Sequence, residues 1–130
     1  METNKKRAII LAASILATFL FMRTVLYFLP NADLYVAGYE VHHLFVGILL
    51  MAASGIPLII LRQGDERWLD VSALAFGIGL SLALDEFVLL IATAGSNTDY
   101  YLPISLNGAL VMVGLALAYI LIIKSLTANR

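Results

Sequence analysis

The feature that most constrains this chain is a succession of four long apolar runs separated by short polar segments. About 20 apolar residues rising ~1.5 Å each are needed to cross a hydrocarbon layer ~30 Å thick. The runs read as spans over residues 8–29, 40–61, 69–94 and 103–123, and together they take up most of the 130 residues. A chain that is 62% hydrophobic and 13% charged, with a mean hydropathy of +0.94, has lipid rather than water as its expected solvent. The expected fold is all-α: a single integral membrane domain over 1–130, built as a four-helix transmembrane bundle.

The ends of the spans have local causes. Lys5-Lys6-Arg7 precede the first span, and Pro30-Asn31 stop it, because proline has no N–H to donate and asparagine favours turns. The first run continues well past the ~7–15 apolar residues of a secretory leader and no small-x-small site follows it, so it is expected to remain as a span. Arg62-Gln63-Gly64-Asp65-Glu66-Arg67 reads as a wet connection and Gly95-Ser96-Asn97-Thr98-Asp99 as a loop. Pro57, inside the second span, is expected to kink it or to free a carbonyl near Ala53.

Orientation follows from lysine and arginine, which collect on cytoplasmic flanks. Of the eight basic residues, Lys5, Lys6, Arg7, Arg62, Arg67, Lys124 and Arg130 fall on one side, whereas the segments 30–39 and 95–102 carry none. Both termini are therefore expected in the cytoplasm, with the chain crossing the cell's inner (plasma) membrane. Tyr27, Tyr35, Tyr39, Tyr100 and Tyr101 are expected to form an outer interfacial belt, with Trp68 marking the inner interface. The lipid bilayer is the expected partner, together with further copies of the chain or a larger membrane complex. No basic patch exists beyond the span flanks, which argues against nucleic acid. The absence of cysteine excludes disulfides, thiolate metal sites and cysteine nucleophiles.

Against this apolar background a few ionisable residues stand out. Arg23 lies in the first span, and Asp85 and Glu86 are adjacent in the third. Each would cost a few kcal/mol or more facing lipid, so each needs a partner or a wet cavity. Arg23 is about 15 residues past Ala8, and Asp85 about 15 past Asp70, so both climb about 22 Å from the inner boundary. The second span descends from outside and delivers Glu40, His42 and His43 at or just above that level. Three spans thus bring Arg23, Glu40, His42, His43, Asp85 and Glu86 towards one layer.

Helical spacing sorts these side chains. Steps of about 100° per residue put i, i+3 and i+4 on one face. Glu40, His43, Gly47 and Ser54 then form one stripe, in which Glu40 and His43 make a Glu-x-x-His pair able to grip a metal from a single helix. Asp85 falls with Ser81 and Gly77, and Glu86 about 100° round with Gly79, so the two acids cannot both point straight at one partner helix. Glycines at 47, 77 and 79 suit close helix contact in lipid. Ser81, and Asn107 on the fourth span, are candidate supports for the same layer. One arginine can neutralise only one of two adjacent carboxylates, and the other must be protonated, metal-bound or hydrated.

The segments Tyr39-Glu40-Val41-His42-His43-Leu44-Phe45-Val46-Gly47 and Gly77-Ile78-Gly79 to Leu84-Asp85-Glu86-Phe87 resemble a family of small, uncharacterised prokaryotic membrane proteins. These pair a histidine-rich helix start ending in glycine with a Leu-Asp-Glu-Phe segment one helix later. The resemblance covers the second and third spans. It implies that the two segments form one site, without implying an activity.

Three functions remain open on the sequence. A metal site could be built from Glu40, His42, His43, Asp85 and Glu86, for which zinc or iron suits the nitrogen and oxygen donors. Alternatively, Asp85 or Glu86 takes and releases protons in a small transporter working as an oligomer, with Arg23 tuning it. In the third reading the cluster locks the helices of a structural or accessory subunit.

Overall fold

A computed structural model of the chain describes residues 2–30, 34–62 and 64–128. Asn31, Gln63 and Arg130, which entered the reading of helix termination, connection and charge bias, lie outside the described residues.

Among the described residues there are four long helices: α1 (Glu2–Phe28), α2 (His43–Ile60), α3 (Glu66–Ala92) and α4 (Pro103–Ala128). All four are long and apolar enough to cross a membrane. A short hairpin, β1 (Tyr35–Val36) paired antiparallel with β2 (Tyr39–Glu40), follows α1. Its two-residue turn places Ala37 and Gly38 at φ of 53° and 84°, the left-handed geometry that matches the twist of paired strands. A single 3-10 turn (Asp99–Tyr101) leads into α4.

The second helix therefore starts at His43 and not near Glu40. Glu40 belongs to β2 and is exposed, so the Glu40–His43 pair does not share a helix. Residues 39 and 40 satisfy their backbone hydrogen bonds by pairing with β1, so helical periodicity does not extend to them. At the other end α2 runs through Pro57 and stops one turn later, at Ile60.

The distribution of side chains is the inverse of a water-soluble bundle. Large apolar residues such as Phe21, Leu49, Ile59 and Ile91 face outwards, while much of what is buried is small or hydroxylic: Ser14, Ser54, Ser72, Ser81, Ala73, Ala83 and Ser105. In lipid, apolar surface gains nothing by leaving its solvent, and helices associate through close packing and hydrogen bonds instead. The third helix sits at the centre, against α1, α2 and α4.

Its two faces use small residues as the spacing predicts. Gly77 lies against Ser14 and Leu11 of α1, and Ser81 Oγ donates to the Ile15 carbonyl at 2.9 Å. On the opposite face, two residues and so about 200° round from Gly77, Gly79 and Gly47 bring the backbones of α3 and α2 together, each glycine Cα facing the carbonyl oxygen of the other. Between α1, α3 and α4 the interior is closed by Ile15, Phe19, Ala109 and Val113.

Two ionic layers cap this interior. At the end where α1 begins, Lys6 and Arg7 of α1 pair with Asp70 and Glu66 in the first turns of α3. The other layer holds the candidate site.

Candidate functional site

Arg23 reaches Asp85 and not Glu86. Its Nε donates to Asp85 Oδ1 at 2.7 Å, and Nη2 donates to the Asp85 carbonyl at 3.2 Å. The rest of the guanidinium is used on α4 and the turn before it: Nη1 donates to Ser105 Oγ at 3.1 Å, and Nη2 to the Ser105 carbonyl at 3.2 Å. The plane stacks on Tyr100, with Cζ 4.1 Å from the ring centre. A cation in lipid is tolerable when its donors are all occupied, which this arrangement achieves with groups from three elements.

Asp85 is 1% exposed and receives further donors. Tyr100 Oη donates to its Oδ2 at 2.5 Å, and His43 Nε2 lies 3.0 Å from the same oxygen. Burial, and then the charge of Asp85, push the Tyr100 hydroxyl well above its usual range, so it stays a donor.

Glu86 turns the other way, towards the start of α2. Its Oε2 accepts the Leu44 backbone N–H at 2.9 Å. The first turn of a helix leaves its N–H groups without partners, and His42, the residue that precedes α2, supplies no side-chain cap. Glu86 of α3 takes that place, setting a carboxylate at the positive end of the α2 dipole. Its Oε1 lies 3.3 Å from His42 Nδ1 and 3.3 Å from His43 Nδ1.

His43 consequently stands in the gap between the two acids, with Nε2 towards Asp85 and Nδ1 towards Glu86. The 100° separation of the carboxylates, which prevents both from meeting Arg23, creates this gap. The cluster opens on a cleft of about 180 Å³ bounded by His42, His43, Glu86, Tyr100, Glu40 and Leu34.

Comparison with protein families, characterised proteins and solved structures gives no match to this chain.

The remaining sequence candidates fall away from the cluster. Glu40 lines the cleft but forms no bond to the other five residues. Ser81 ties α3 to α1 and does not touch the site. Asn107 is exposed and makes no hydrogen bond among the described residues; Ser105, two positions earlier, is the α4 residue that holds Arg23. Tyr100 is not a belt residue: it is buried, unlike Tyr27, Tyr35, Tyr39 and Tyr101. Aromatic residues next to a loop signal an interface and do not reveal which one folds inwards. The Leu44 N–H had no side-chain signal at all.

Among the described residues no group of three or more histidine, aspartate or glutamate side chains is arranged to hold a metal ion.

Proposed function

We propose that this cluster is an intramembrane proton-binding site, loaded from the cleft, in a small multi-pass membrane protein. One observation carries the proposal: His43 presents both ring nitrogens to carboxylate oxygens, at 3.0 and 3.3 Å. A neutral imidazole has one N–H donor and one bare lone pair, and a lone pair against a carboxylate is repulsive. A proton in the gap, on the ring or on Glu86, turns both contacts into hydrogen bonds. Charge balance gives the same count. Arg23, Asp85 and Glu86 sum to one negative charge with neutral histidines, and a single bound proton makes the buried cluster neutral, as a low-dielectric site requires.

His42 supports the loading route, since it contacts Glu86 Oε1 and faces the cleft. Below the cluster Ile15, Phe19, Ala109 and Val113 close the bundle, so exchange takes place from the cleft side only. With the basic flanks in the cytoplasm, the cleft opens to the outer face of the inner membrane. One-sided access to a buried carboxylate–imidazole pair suits coupled transport by an oligomer better than an open proton channel. The zinc or iron reading lacks a three-ligand set to support it.

Solid-state ¹⁵N and ¹³C NMR of the lipid-embedded protein at neutral pH tests this directly. The expected result is one proton in the gap, seen as two protonated nitrogens on His43 or a neutral Glu86 carboxyl, and lost in Glu86→Gln. A neutral His43 beside two ionised carboxylates refutes the proposal. Proton-coupled flux in proteoliposomes that survives Glu86→Gln refutes its transport part alone.

A further inference from the structure

A cavity larger than the cleft lies away from the cluster. A groove of about 460 Å³ lies between α1 and α4 at the opposite end of the bundle, where α1 begins and α4 ends. Its floor is Phe76 and Leu80 of α3, and its apolar walls include Leu11 and Ile120. Lys5 and Lys124 stand at its mouth. These two differ from their neighbours. Lys6 and Arg7 are taken up by Asp70 and Glu66, whereas neither Lys5 nor Lys124 has an acidic partner among the described residues. Counting along the helices, the apolar part extends about 9 Å below Lys5 on α1 and about 12 Å below Lys124 on α4.

A groove of this form fits an amphiphile with an anionic head and an apolar tail. In lipid, apolar walls do not discriminate between one chain and another, because the surrounding solvent is equally apolar. Selection has to come from the charged end, and two unpaired ammonium groups at headgroup depth favour a phosphate that is not balanced by its own cation. We propose that the α1–α4 groove is a binding site for an anionic glycerophospholipid. The phosphate is held between Lys5 and Lys124, and one acyl chain runs over Phe76 and Leu80. The occupant is a lipid and not a second copy of the chain, because the unpaired charges at the mouth are of one sign and a second copy would bring the same two lysines to the contact.

Native mass spectrometry of the full chain released from nanodiscs of equal phosphatidylglycerol and phosphatidylcholine tests the site. The wild type should retain phosphatidylglycerol in preference. About 1 kcal/mol per basic residue near a headgroup corresponds to a preference lowered roughly fivefold by Lys5→Gln or Lys124→Gln and roughly thirtyfold by both. Lys6→Gln, whose partner is Asp70, should leave the preference unchanged. Ala116→Leu, which fills the groove and spares the charges, should remove the retained lipid while circular dichroism shows the helices intact. Unchanged preference in the double lysine variant overturns the proposal, as does equal retention of phosphatidylcholine. A lipid-free dimer that forms through this face also overturns it.

Discussion

Replacing Gly47 with alanine tests how tightly the site depends on helix approach. A Cβ at position 47 would stand 2.4 Å from the Gly79 carbonyl oxygen and 2.8 Å from the Ala83 backbone nitrogen, where ordinary contact begins at 3.4 Å. Both obstacles are backbone, so no rotamer change relieves them and α2 must move from α3 by about 1 Å. A gap of that size forfeits a quarter to a half of each dispersion contact along the seam. Overpacking of this kind costs about 1–3 kcal/mol, offset by up to ~1 kcal/mol from the better helix propensity of alanine. A net loss of about 1–2 kcal/mol should lower the midpoint of thermal unfolding by about 3–10 °C for a chain of this length. Circular dichroism melting in mild detergent measures it, and Gly114→Ala, whose Cβ meets nothing within 4 Å, is the control that should melt no lower than wild type. The displacement also reaches the site. His43 lies one turn from Gly47 on the same face, so its 3.0 Å contact with Asp85 should stretch towards ~4 Å and the NMR signature of the bridging ring should change. A Gly47→Ala protein that melts with the wild type and keeps that signature would show that the glycine contact does not set the spacing of the cluster.

Further outcomes follow from the same geometry. Arg23→Met leaves Asp85 buried without its cation and should cost about 3–5 kcal/mol, whereas Arg23→Met combined with Asp85→Leu should recover most of it; equal losses in the two proteins would refute the pairing. Tyr100→Phe removes a hydrogen bond to a charged acceptor and should cost about 1.5–3 kcal/mol at neutral pH. Because the native state raises the Tyr100 hydroxyl above its usual value, its contribution is complete below about pH 10 and is lost as the pH rises further. Melting from about pH 7 to pH 11 should therefore show an alkaline decline that Tyr100→Phe lacks. In the loop between α3 and α4 the Ser96 N–H donates to Asp99 at 3.0 Å and holds that carboxyl below its usual range. This contribution is present above about pH 4 and is lost as the pH falls, so the protection of the Ser96 amide, its exchange rate relative to the intrinsic rate at the same pH, should weaken on acidification and be absent at all pH values in Asp99→Ala.

Much of this arrangement is legible from the chain alone. The depth count that placed Arg23 level with Asp85 rests on a fixed rise per residue, and the two side chains are in contact. The face count that set Gly77 and Ser81 on one side of α3 and Gly79 on another rests on a fixed rotation, and those residues meet α1 and α2 respectively. The reading failed where regular helix ended. Glu40 does not follow helical periodicity because its stretch is a hairpin, and on α4 the inward-facing polar residue is Ser105, whereas Asn107, the amide of that span, is exposed.

The sequence by itself determined four apolar helices and the level at which their charges meet, because lipid thickness and helix geometry act along one dimension. It also required one carboxylate to be left over, since a single arginine carries a single charge. Which acid that is, and what receives it, only the tertiary structure decided. Gly47 and Gly79 let α2 approach α3 closely enough for Glu86 to cap its first turn, while Tyr100 and Ser105 close around Arg23 from the far side. Lateral order and rotation of helices depend on contacts between residues distant in the chain, and no local spacing encodes them.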